Sequence, residues 1–305
     1  MKSRLIALPL ILLLAISCSQ KQVHIEPRDE APWYGWNKYQ LKQEDSLERY
    51  GHELISNTSY YLGPKGTVAA LTNGMNCQNC HLEGGTLPWG NNYSAVISTY
   101  PKFRARSGGI ETISKRVNDC MERSLNGKPL DSNSREMQAI IAYMKWLGEG
   151  VSKGTTPRGA GIKDLPELDR PADPTHGLLV YQQQCQSCHG ANGAGQANPD
   201  GYGYTYPPLW GPNSYNTGAG LYRISRLAGY VKYNMPFGLA KYHSPVLTDA
   251  ESWDVAAYIN SMPHPVKDIS GDWPDISKKP KDHPFGPFAD GRSEAEHKYG
   301  PWAKK

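Results

Sequence analysis

The pentapeptide Cys77-Gln78-Asn79-Cys80-His81 recurs as Cys185-Gln186-Ser187-Cys188-His189. A C-x-x-C-H pattern supplies two thiols able to add to the vinyl groups of a porphyrin and an adjoining imidazole able to give its iron an axial nitrogen. One such pattern arises by accident, but two in one chain predict two covalently attached haem c groups. Cys77, Cys80, Cys185 and Cys188 are then the attachment residues, and His81 and His189 the proximal iron ligands. The alternatives are redox-active or zinc-binding C-x-x-C pairs, and both leave the two matched histidines without a role.

The chain has six cysteines, so Cys18 and Cys120 remain. Cys18 follows Lys2, Arg4 and an apolar run from Leu5 to Ile16 that is too short to span a bilayer and reads as the core of an export signal. Ala15-Ile16-Ser17-Cys18 is similar to a bacterial lipobox. The expectation is a signal segment at 1–17, acylation of Cys18, and a protein tethered to the periplasmic face of a membrane without inserting into it. A soluble periplasmic protein cleaved nearby is the alternative. Cys120 has no evident disulfide partner, so its thiol is structural, catalytic or a ligand.

The elements that must position these groups repeat. Leu47 to Ile55 has helical spacing ahead of the first motif, and Gly177 to Tyr181 ahead of the second. After the first motif, Met137, Ile140, Ile141, Met144 and Leu147 share a helical face. After the second, Thr248 to Glu251 forms a capping box ahead of Trp253, Ala256, Ala257 and Asn260. A helix leading into C-x-x-C-H and a closing helix packed across it is the outline of a monohaem cytochrome c, present twice. The fold expected is all-α, with an N-terminal extension at 18–45, a first haem domain at 46–150 and a linker at 151–174. A second haem domain at 175–265 and an extended tail at 266–305 complete it, with disorder as the rival reading of the tail.

Length and composition agree. The 305 residues suffice for two modest domains, and the 38% hydrophobic content leaves room for something besides side chains in the cores. The net charge of +4 includes Lys2 and Arg4 of the leader, which gives no electrostatic case for binding nucleic acid.

What fills the sixth position of each iron decides between carrier and catalyst. In the second domain, Leu221, Ile224, Ala228 and Val231 mark a helix that ends at Asn234-Met235-Pro236. This leaves the Met235 thioether on a loop, as the expected distal ligand, with Met262 and His243 as rivals. In the first domain, Ile110, Ile113, Val117, Cys120 and Met121 share one helical face that ends at Asn126-Gly127. Cys120 and Met121 are both candidates, and spacing does not choose between them.

The segment Arg116-Val117-Asn118-Asp119-Cys120-Met121-Glu122-Arg123-Ser124-Leu125-Asn126-Gly127, with Arg104-Ala105-Arg106-Ser107-Gly108 before it, closely resembles the thiosulfate dehydrogenases, or tetrathionate synthases. So do Pro207 to Pro212, Asn234-Met235-Pro236, Trp253 to Asn260, Trp273-Pro274-Asp275 and His297 to Pro301. The resemblance implies a periplasmic dihaem enzyme joining two thiosulfates into tetrathionate, or running the reverse. Electrons then pass from haem 1 to haem 2 and on to a small acceptor cytochrome. It implies His81 and Cys120 as ligands of a catalytic haem 1, and His189 and Met235 as ligands of a relay haem 2. Some members carry Lys before the distal Met, able to exchange with it; Asn234 stands here.

Bringing two dianions together needs cations, for which Arg106 and then Arg104 are the candidates. Lys115, Arg116 and Arg123 could contribute but read as solvated helix charges. A dihaem carrier using Met121, a dihaem peroxidase, and a sulfur-transferring relative that shares Cys ligation are the competing functions.

Overall fold

The structure is a computed structural model that describes Leu41 and residues 46–302; the export signal and Cys18 lie outside the described residues. Two helical units carry the chemistry. The first comprises α1 (Leu47–Ser56), α2 (Thr58–Leu62), α3 (Leu82–Gly85), α4 (Val96–Thr99), α5 (Ile113–Arg123) and α6 (Arg135–Leu147), with a hairpin of β1 (Lys102–Arg104) and β2 (Gly109–Glu111) before α5. The second comprises α7 (Pro174–Gln184), α8 (Gln186–His189), α9 (Ile224–Asn234) and α10 (Asp249–Ser261), with a two-stranded ribbon of β3 (Gln196–Ala197) and β4 (Tyr204–Tyr206). The fold is two tandem cytochrome c-like domains.

In each unit the entering helix crosses the closing helix, α1 on α6 and α7 on α10. The crossing is the same in detail. A Cβ on Gly51 would lie 2.0 Å from the Ala139 carbonyl oxygen and 2.7 Å from Tyr143 Cβ. A Cβ on Gly177 would lie 1.9 Å from the Asp254 carbonyl oxygen and 2.9 Å from Tyr258 Cβ. Glycine is required because the backbones touch, and this shared contact is the structural mark of the duplication. Gly177→Ala must push α7 off α10, and is expected to destabilise the second domain by about 1 to 3 kcal/mol, the usual cost of overpacking. Thermal unfolding of the holoprotein checks this, an unchanged midpoint being the contrary result.

Caps fix the helix starts. Ser46, Thr112, Ser134 and Thr248 each accept a backbone N–H of the first turn of α1, α5, α6 and α10, and Thr248 completes a capping box with Glu251. Ile110 departs from the sequence expectation. It is not on the Cys120 helix but on β2, opposite Phe103 and 70% exposed, because Thr112 caps α5 after it.

Residues 151–173 contain no helix, yet they are packed. Leu165 and Ala172 are buried in the second core. Asp254, fully buried, receives both arms of Arg170 at 2.8 Å and the backbone N–H of Asp173 at 2.8 Å. The tail crosses both units. Asp272 takes a bidentate bond from Arg123 at 2.7 Å, the Trp273 N–H donates to the Arg106 carbonyl at 2.7 Å, and Asp282 binds Arg223 and Ser225. After α11 (Glu294–Tyr299), Trp302 is buried against Trp253 in the second core.

Candidate functional site

The two C-x-x-C-H segments fold alike. In the first, the N–H groups of Cys80 and His81 both bond the Cys77 carbonyl, at 3.2 and 2.9 Å; in the second, those of Cys188 and His189 bond the Cys185 carbonyl at the same two distances. The first motif is also held from α2, since Thr58 Oγ1 accepts from the Cys77 N–H at 2.9 Å and Asn76 Oδ1 accepts from the Ser59 N–H at 2.7 Å.

Each proximal histidine is fixed through Nδ1. His81 Nδ1 bonds the Asn91 carbonyl and His189 Nδ1 bonds the Pro207 carbonyl, the latter at 2.9 Å. A carbonyl accepts only from N–H, so both rings carry the Nδ1 proton and keep the Nε2 lone pair for a metal. Tyr93 stacks on His81 with ring centroids 4.4 Å apart, which sets the ring plane. Burial lowers the His81 pKa to about 4 and lowers that of His189, so both imidazoles are neutral, as ligands must be.

The thiols fit attachment better than the alternatives. Cys77, Cys80, Cys185 and Cys188 form no disulfide. Burial raises the Cys77 thiol to about 11 and those of Cys80 and Cys185 to about 12, the reverse of an activated redox thiolate. Among the described residues no three His, Cys, Asp or Glu side chains converge as a metal cage, so a zinc site lacks its donors.

A cleft beside the first motif has an internal void of about 150 Å³ and about 870 Å³ counted out to its mouth. Its walls are largely apolar, with Ile55, Tyr93, Val96, Val117, Leu125, Ile140 and Met144. Cys77, Cys80 and His81 line it too, and so do Arg116, Cys120 and Met121. Apolar walls, free thiols and a presented Nε2 fit a covalent haem. Met121 is 1% exposed and belongs to the first core, whereas Cys120 is half-buried.

Arg116, which the sequence reading ranks with Lys115 and Arg123 as a solvated helix charge, instead lines the cleft. It sits one turn before Cys120, so both fall on one face of α5, and that i, i+4 spacing was the available signal. The charge of the neighbouring Cys120 sulfur raises Arg116 above its ordinary value, against the opposing effect of burial, with Tyr100, Asp119 and Glu111 adding to the rise. It is a half-buried cation lining the same cleft as the Cys120 sulfur, not a fully solvated helix charge.

Arg106 and Arg104 do not line this cleft. Arg106 pairs with Asp119 at 3.1 Å, and Asp119 is also held by Lys115 at 2.6 Å. Burial lowers the Arg106 pKa, helped by the nearby positive charges of Arg123 and Arg116. Arg104, on β1, lies 3.9 Å from the buried Glu111. In the second unit Met235 follows α9 directly and packs, half-buried, against the same core as Cys185 and Met262, while His243 is exposed.

Residues 68–152 match the family described as SoxA/TsdA, cytochrome c domain, and residues 175–263 match cytochrome c. Thiosulfate dehydrogenase of Allochromatium vinosum is 41% identical over 198 residues, covering 64% of this chain and 71% of that protein. The chain belongs to the thiosulfate dehydrogenase family. The enzyme of that name from Psychrobacter arcticus is 38% identical over 231 residues, covering 75% of this chain and 67% of its own length. A solved thiosulfate dehydrogenase (TsdBA) from Marichromatium purpuratum superposes with a TM-score of 0.66 at 31% identity, over 73% of this chain and 47% of that longer one. Like the family, this chain is a dihaem c-type cytochrome with two covalently bound haem c groups, one per cytochrome domain. Among the described residues no helix is long and apolar enough to cross a membrane.

Proposed function

We propose that this protein interconverts thiosulfate and tetrathionate at the cleft shared by Cys120, Arg116 and the first C-x-x-C-H motif. That juxtaposition carries the reading, because it puts a soft nucleophile and a half-buried cation together beside an iron site. Two thiosulfate dianions lose one electron each and their outer sulfurs form the central S–S bond of tetrathionate, with no proton taken up or released. The bound haems supply one-electron acceptors, the first ligated by His81 and Cys120 and the second, a relay to a small acceptor cytochrome, by His189 and Met235.

The protein's own groups do the rest. Arg116 neutralises an incoming sulfonate inside a low-dielectric cleft, where a charge-assisted hydrogen bond is strong. Cys120 engages the sulfane sulfur: its sulfur and that of one thiosulfate share a bond as two electrons leave, and the second thiosulfate then displaces Cys120 to give tetrathionate. Arg106 acts one step back, holding Asp119 next to Cys120, and Arg104 adds positive field at the rim. On this reading residues 46–150 form the catalytic domain and 175–265 the relay domain. Acylated Cys18 tethers the protein at the periplasmic face of a bacterial membrane.

The test is an assay of purified holoprotein with thiosulfate plus ferricyanide, and with tetrathionate plus reduced viologen. Turnover in at least one direction is expected. Activity in neither contradicts the reading and favours an electron carrier. Pyridine haemochrome quantification is expected to give two haems per chain, falling to one in Cys185→Ala/Cys188→Ala; one haem in the unmutated protein contradicts double attachment.

A further inference from the structure

The last two turns of α9 reach from the second haem domain into the attachment region of the first. Tyr230 is 5% exposed, and its hydroxyl donates to the Asn79 carbonyl at 2.9 Å, inside the first C-x-x-C-H motif and next to Cys80. Asn234 is 3% exposed; its side-chain N–H donates to the Trp89 carbonyl at 3.2 Å and to the Tyr230 carbonyl at 2.9 Å. Trp89 lies two residues from Asn91, whose carbonyl holds His81 Nδ1. Trp89 and Asn91 both have φ of 60°, a left-handed backbone that persists only where surrounding contacts impose it. The residue after Asn234 is Met235. One stretch of helix thus touches the thioether side and the histidine side of the first site and leads directly into the expected distal ligand of the second.

Buried hydroxyl and amide groups are costly unless partnered, and these two use domain-crossing carbonyls as partners. A purely adhesive interface needs only apolar contact. Directional bonds at these positions fix orientation.

We propose that Tyr230 and Asn234 are positioning residues that hold the two haem sites in register for electron transfer. In the step they serve, the first iron is oxidised, the second is reduced by the same electron, and the acceptor cytochrome reoxidises the second. The inference rests on the ligand assignment proposed above, but not on thiosulfate being the substrate.

The test uses full-length holoprotein of Tyr230→Phe, Asn234→Leu and the double variant. A photochemical one-electron donor injects electrons without thiosulfate, and equilibration between the two haems is followed spectroscopically. The double variant is expected to equilibrate measurably more slowly than the unmutated protein, because electron transfer slows as the separation and relative orientation of the two sites drift. Both haems and the near-infrared His/Met band are expected to remain, and amide hydrogen exchange across 77–91 to quicken. Wild-type equilibration with unchanged exchange overturns the proposal. So does slowing accompanied by loss of the near-infrared band, which reduces Asn234 to a support for Met235. Absence of thiosulfate turnover with coupling intact in the unmutated protein counts against the substrate reading alone.

Discussion

Cys120→Met is expected to fold, carry both haems and lose thiosulfate–tetrathionate turnover in both directions by roughly 10³-fold or more, the scale of removing an activated nucleophile. Met supplies a sulfur of similar reach, so ligation at the first iron is retained. It cannot form and break a bond to sulfane sulfur as a thiol does. The first iron is expected to become easier to reduce, because a neutral thioether replaces an anionic thiolate, and thiolate-to-iron charge transfer is expected to vanish from the spectrum. Near-normal thiosulfate oxidation by this variant contradicts the mechanism and returns Met121, buried in the first core one residue on, as the better account.

Arg116→Gln is the second large effect. Removing a charged donor from inside the cleft is expected to cost about 2 to 4 kcal/mol of transition-state stabilisation, or roughly 30- to 1,000-fold in kcat/KM. Arg116→Lys is expected to recover only part, because a point charge does not reproduce the planar fork. Arg106→Ala is expected to lose less, since Arg106 reaches the site through Asp119 rather than by lining the cleft. The Arg116 defect is expected to persist in large part near 1 M salt, where the screening length is about 3 Å, because a partly buried pair is screened much less than an exposed one. A loss in Arg106→Ala larger than in Arg116→Gln, with haem content intact in both, reverses the assignment.

The features legible in the sequence are those set by local chemistry. The attachment motifs, the capping box at Thr248 and the stop of α9 before Pro236 each depend on a few neighbouring residues, and each is found where the pattern places it. Ile110 fails because helical spacing continues by coincidence through a hairpin, and only the Thr112 cap marks the true start of α5. Arg116 fails because charge on a helix predicts solvent, while the cleft it lines is built from α1, α5, α6 and the Asn91–Tyr100 segment, which pattern reading does not bring together. Residues 151–173 carry no apolar period, yet the Gly159 and Gly161 carbonyls accept from Trp89 and Asn91, bonds that depend on backbone alone and leave no mark in side-chain pattern.

The most direct measurement concerns the Cys120 sulfur itself. Tetrathionate contains a central S–S bond that a thiolate opens by exchange: Cys120 gains an S–SO3 group with its sulfane sulfur, and one thiosulfate leaves with no net change of oxidation state. Oxidised holoprotein mixed with tetrathionate, then digested under non-reducing conditions for mass spectrometry, is expected to carry this added group on the Cys120 peptide. The group is expected to be lost on thiol treatment and absent from Cys120→Met. An unmodified Cys120 peptide in a sample that turns over tetrathionate contradicts the account.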